Sequence, residues 1–137
     1  MFQKIDHIGI AVSNLDKSVD EYQKKFQVKV KHIEELPDIS VRIAFIPVGE
    51  VMLELIEPLP RGKGRLAEFL EKHGEGFHHI AYRVDNLEAV LTKMKKAGIK
   101  LRDEKPRPGG GDSSIAFLNP EETSNVLTEL VQREKEL

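Results

Sequence analysis

Asp6-His7-Ile8-Gly9-Ile10-Ala11-Val12-Ser13-Asn14-Leu15-Asp16 returns later in the chain as His78-His79-Ile80-Ala81-Tyr82-Arg83-Val84-Asp85-Asn86-Leu87-Glu88. Each copy sets a histidine, His7 or His79, second in an apolar run and closes on an asparagine-leucine-acid step. Farther on, each copy is followed by another apolar run holding one glutamate. These are Leu53-Glu54-Leu55 after the first and Thr128-Glu129-Leu130 after the second. An internal repeat decides the architecture before any single element does, because one supersecondary plan is used twice.

The plan follows from periodicity. In residues 4–12, Ile8, Ile10 and Val12 alternate with His7, Gly9 and Ala11, which predicts a strand with one bulky face and one small face carrying the histidine. Ser13 or Asn14 then caps a helix running to about Phe26, with the apolar stripe Leu15, Val19, Tyr22 and Phe26. Further strands are expected at 28–34, 41–47 and 51–57, with Leu36-Pro37-Asp38 as a turn and Val48-Gly49-Glu50 as a hairpin turn. A linker rich in proline and glycine leads to a short helix with Leu66, Phe69 and Leu70 on one side and Gly74 as its stop. The second copy repeats the order: a strand at 77–84, then a helix from Asp85 or Asn86 to Gly98 with stripe Leu87, Leu91 and Met94. A strand at 99–103, a glycine-rich loop at 106–113 and strands at 114–118 and 125–132 follow. The charged tail at 133–137 is expected to fray.

The expected fold class is therefore α+β. Tandem β-α-β-β-β modules at 4–57 and 76–132, joined by a linker with a short helix at 58–75, make a single domain over 1–137. Their strands are expected to join into a curved, barrel-like mixed sheet, with the small-residue faces of both first strands lining a shared concavity.

Composition narrows the function classes. The chain has 137 residues and a net charge of −2, with 21 Lys and Arg interleaved among 23 Asp and Glu. No basic stripe points to nucleic acid and no basic amphipathic helix to a membrane surface. There is no cysteine, which excludes disulfides and thiolate metal sites. Met1-Phe2-Gln3-Lys4-Ile5-Asp6 has no signal-peptide pattern, and the expectation is a soluble cytoplasmic protein.

The candidate chemistry rests on His7, Glu54, His79 and Glu129. Two imidazoles and two carboxylates suit a divalent ion, Co²⁺ foremost, with Mn²⁺, Ni²⁺, Zn²⁺ or Mg²⁺ as alternatives. Taken singly, a strand histidine is more often a hydrogen-bonded core residue, and a strand glutamate more often faces water. Both types recurring at matching places in two copies favours a metal site. A carboxylate inside an apolar run is costly to bury unless it is paired or metal-bound. His78 lies on the face of Ile80 and Tyr82 and reads as structural, while His32 and His73 read as surface residues.

The repeat, Glu54-Leu55-Ile56-Glu57-Pro58-Leu59 and Val126-Leu127-Thr128-Glu129-Leu130-Val131 resemble the vicinal-oxygen-chelate superfamily of glyoxalases and bleomycin-resistance proteins. Gly74-Glu75-Gly76-Phe77-His78-His79-Ile80-Ala81 and Glu104-Lys105-Pro106-Arg107-Pro108-Gly109 are most similar to its methylmalonyl-CoA epimerase branch. The likeness runs from Ile5 to about Gln132. It implies an isomerase whose metal, held by His7, Glu54, His79 and Glu129, chelates two neighbouring oxygens of an acyl-CoA thioester and stabilises the enolate formed when the α-proton leaves. It also implies a homodimer.

The resemblance leaves the base open. Ile43 stands where some epimerases carry a glutamate, so Glu129 or Glu54, leaving the metal transiently, is the expected base. Ser114 and Asn119 replace a basic residue and a histidine usual in the branch, near where the acyl-CoA would approach. Lys63, Arg65 and Arg107 are candidate partners of its phosphates. The alternatives are a glyoxalase I-type lyase on the same scaffold, a non-catalytic small-molecule-binding module, and a structural domain whose glutamates face water.

Overall fold

The described residues of the computed structural model, Met1–Glu136, follow one plan twice. β1 (Lys4–Ala11), α1 (Leu15–Phe26), β2 (His32–Leu36), β3 (Val41–Val48) and β4 (Val51–Pro58) form the first round. After α2 (Arg65–His73) come β5 (Gly76–Arg83), α3 (Leu87–Lys96), β6 (Arg107–Gly109), β7 (Ser113–Phe117) and β8 (Thr128–Gln132). The fold is α+β, with the tandem β-α-β-β-β order expected from the repeat. Two compact units cut across that repeat: Ile8–His78, and Met1–His7 with His79–Leu137. No helix among the described residues is long and apolar enough to cross a membrane.

In the unit Ile8–His78, α1 starts where Asn14, in extended geometry, accepts a hydrogen bond from Lys17 N at 3.1 Å. Glu57 adds a second tie: its Oε1 accepts from Leu15 N at 3.0 Å and pairs with Arg61. The helix covers a core of Val12, Leu15, Ala44, Ile46 and Leu55. Side chains alternate along β4, so Leu55 and Glu57 take the helix side and Glu54 and Ile56 the other. The antiparallel β3–β4 ladder puts Glu54 opposite Phe45 and Ile43 opposite Ile56. The second strand is displaced from its expected place: Val28 and Val30 pack on the helix core, and the strand proper is His32–Leu36. Apolar residues mark burial here, and the ladder begins only after them.

In the other unit the same devices return. Asn86 accepts from Ala89 N at 3.0 Å, and Gln132 Oε1 from Leu87 N at 2.8 Å. α3 covers Val84, Leu87, Leu91, Met94, Ala116, Leu118 and Leu130. Ala81, Ile115, Phe117 and Val131 form a second cluster. β8 runs parallel to β5 and antiparallel to β7, so Glu129 lies between Ala81 and Phe117 in register.

Three expectations are corrected in this unit. Residues 99–103 make only an isolated bridge, Leu101 to Leu118, because Ile99 and Leu101 spend their side chains on the α3 core. The strand instead lies in the stretch expected as loop, at Arg107–Gly109, paired with β7 at the end of the strand order, where a proline costs little. Gly109 is needed there, since a Cβ would come within 2.5 Å of Ile115 Cγ2. The tail does not fray at its start: Arg133 is tucked in beside Asp6, and Glu136 is paired with Arg83. The last residue of the tail, Leu137, lies outside the described residues.

Candidate metal centre and its surroundings

His7 on β1, His79 on β5 and Glu129 on β8 converge. Nε2 of His7 lies 3.0 Å from Nε2 of His79 and 3.0 Å from Oε2 of Glu129. Nε2 of His79 is 3.6 Å from Oε1 of Glu129. One donor atom from each residue falls within 4.8 Å of the others, and all three residues are buried. Burial pushes the Glu129 carboxyl up, but the charges of His7 and His79 and the His7 hydrogen bond outweigh it and hold the group below its ordinary range. Two imidazoles and an ionised carboxylate aimed at one point are a donor set that a borderline divalent ion takes, so these residues fit a metal.

Behind His7 lies a cluster that periodicity alone does not reveal. Asp6 is 3 % exposed and accepts five hydrogen bonds. His7 Nδ1 donates to its Oδ2 at 2.6 Å; Arg83 donates to Oδ1 through Nε at 3.0 Å and Nη2 at 2.8 Å. Arg133 donates Nε to Oδ1 and Nη2 to Oδ2, both at 3.0 Å. Burial pushes the Asp6 carboxyl up, yet the bonds and charges of His7 and Arg133 hold it well below the usual carboxylate range. An ionised carboxylate only accepts, so the proton at Nδ1 belongs to His7, and its Nε2 is turned toward His79 and Glu129. Metal-binding histidines commonly use such a carboxylate to fix ring and tautomer.

The remaining predicted residues fall as follows. Glu54 belongs to the other unit, buried on the side of β4 away from α1. Its register partner is Phe45, as that of Glu129 on β7 is Phe117. Ile43 is buried on β3, and Ser114 is exposed on β7. Asn119 serves the local backbone, where its Oδ1 accepts from Glu121 N at 3.0 Å and caps the 3-10 turn Pro120–Thr123. Arg107 donates to Asp103 at 3.2 Å and lies over the Phe117 ring. Asp6, Arg83 and Arg133 escape a sequence reading that follows apolar residues. The available signal was alternation, which carries the face of Glu129 and Val131 on to Arg133.

Residues 6–117 match the family model described as Glyoxalase/Bleomycin resistance protein/Dioxygenase superfamily. The chain belongs to this superfamily. Among its members, the chain is 38% identical over 129 residues to the uncharacterized protein YqjC of Bacillus subtilis, covering 94% of this chain and 91% of that one. It is 32% identical over 134 residues to the ethylmalonyl-CoA/methylmalonyl-CoA epimerase of Cereibacter sphaeroides, covering 96% and 99%. A solved methylmalonyl-CoA epimerase in complex with methylmalonyl-CoA and NH4+ superposes with a TM-score of 0.91 at 34% identity, covering 98% of this chain and 96% of the other. The superfamily resemblance and the fold expected from the repeat hold, and the Cereibacter sphaeroides relative and the solved thioester complex are epimerases, which are isomerases.

Proposed function

We propose that this chain is a divalent-metal-dependent epimerase of methylmalonyl-CoA, working by removal and return of the α-proton. The observation that carries the reading is the convergence of His7, His79 and Glu129 in a chain 34% identical to an epimerase bound to that thioester. In this reading His7, His79 and Glu129 hold the ion together with Glu54, and Co²⁺ stands first among the candidates. A bound divalent ion supplies Lewis acidity for the oxygen on which charge grows as the proton leaves.

The chain's own residues do the rest. Asp6 keeps the proton on Nδ1 of His7 and so presents Nε2 as a lone-pair donor. Ile43 is apolar and moves no proton. Glu129 or Glu54, leaving the metal transiently, therefore serves as the base that takes the α-proton from one face of the carbon, and inversion is completed by an acid that protonates the opposite face of the planar carbon. Ser114 and Asn119 leave the acyl end of the substrate without the usual basic residue and histidine. The reading extends to a homodimer, as the family resemblance implies, and to a cytoplasmic location.

The test is a substrate comparison on Co²⁺-loaded protein: a single epimer of methylmalonyl-CoA against the hemithioacetal of methylglyoxal and glutathione. Loss of optical purity of the thioester with no lyase product is the expected result. Lyase turnover without epimerisation would move the chain to the glyoxalase I type. Neither activity, with metal bound, would leave a binding module.

A further inference from the structure

Arg133 touches two things at once. Its side chain is 2% exposed. Nε and Nη2 are given to the two oxygens of Asp6, and Nη1 donates to the carbonyls of Gly110 and Gly111, each at 3.0 Å. Those carbonyls belong to the three-residue connection between β6 and β7, since Gly109 and Ser113 are already paired in the ladder. The connection is tightly built: Gly111 has φ +64 and Asp112 φ 55, and Ser113 Oγ donates to Gly110 O at 2.8 Å. Asp6 in turn accepts the hydrogen bond of His7 Nδ1–H. One guanidinium thus spans from a loop backbone to the carboxylate that orients a histidine.

We propose that Arg133 is a positioning residue that ties the arrangement of the β6–β7 loop to the orientation of the His7 ring, with the Asp6 carboxylate as the bridge. A planar guanidinium can do this because its donors point in fixed, diverging directions. A lysine ammonium brings the same charge from a single point and cannot serve both ends in that geometry. Arg83 does not duplicate the link, since it reaches Asp6 and Glu136 rather than the loop. The inference uses the site of the proposed function but needs neither metal nor substrate.

The test follows both ends in metal-free protein labelled with ¹⁵N. Arg133→Gln is expected to speed amide exchange at Gly110, Gly111 and Asp112 about tenfold or more, the weight of one charge-assisted hydrogen bond. In the same variant the His7 ring resonances are expected to shift and the Nδ1 proton signal to be lost, while the Ala89 amide in α3 stays as it was. Arg133→Lys is expected to restore at most one end. A loosened loop with His7 unchanged would make Arg133 a local strut and overturn the proposal, as would full restoration of both ends by lysine. If Arg133→Gln does not fold, Gly111→Ala reads the link from the loop: a shifted His7 ring supports it and an unmoved ring overturns it. Co²⁺ titration separates this inference from the metal reading. Arg133→Gln is expected to bind Co²⁺ about tenfold more weakly than wild type. Wild-type protein that binds none would sink the metal reading and leave the His7 resonances to judge the link.

Discussion

His7 and His79 hold the same place in the two repeats and stand in different surroundings. His7 follows an aspartate that accepts a hydrogen bond from its Nδ1 and is itself held by Arg83 and Arg133. His79 follows His78, whose ring meets Phe69 edge-on at 4.7 Å, and His79 itself meets Phe117 edge-on at 5.7 Å. The backbone devices show no such split. Asn14 and Asn86 cap their helices alike, Glu57 and Gln132 reach the first helical N–H alike, and Glu54 and Glu129 each face a phenylalanine across an antiparallel pair. The repeat therefore carries the fold and the register of the candidate ligands in duplicate, while the charged support stands behind His7.

The largest effect is expected at the glutamates. In Co²⁺-loaded protein, Glu129→Gln is expected to lose about 10²–10⁴-fold in turnover, the usual weight of a positioned base. Glu129→Gln with full turnover removes Glu129 from that role and passes it to Glu54. The residues that precede the two histidines come next. Asp6→Ala strips the carboxylate from two arginines and is expected to cost about 3–5 kcal/mol in denaturant unfolding. His78→Ala, at the matching place, is expected to cost about 1 kcal/mol. Equal losses would erase the asymmetry. Gly109→Ala forces a Cβ against Ile115 and is expected to cost about 1–3 kcal/mol. Least of all, Asn14→Ala and Asn86→Ala are each expected to cost about 1 kcal/mol, and a clear difference between them would mean that the caps are not equivalent.

The parts legible in the sequence were those written twice. His7, His79, Glu54 and Glu129 stand out because two copies agree, and the order of elements follows from the same agreement. What escaped has a physical cause in each case. Ile99 and Leu101 look like a strand because they are apolar and spaced by two, yet they serve the α3 core without a ladder. Arg107-Pro108-Gly109 looks like a loop because proline and glycine break interior strands, a rule that relaxes at the end of a strand order. Arg133 looks like part of a solvated tail because a charged run normally is one. Its burial depends on Asp6, far away in sequence, and no local pattern encodes that partnership.

In the proposed function, the converging donors make this chain a metal-dependent catalyst of α-proton exchange. The most direct measurement is deuterium incorporation at the α-carbon of (2R)- or (2S)-methylmalonyl-CoA in deuterated water, comparing chelator-stripped protein with the same protein reloaded with Co²⁺. Incorporation with loss of stereochemical purity is expected in the reloaded protein, and neither in the stripped one. Stoichiometric Co²⁺ binding without any exchange would contradict the proposed function.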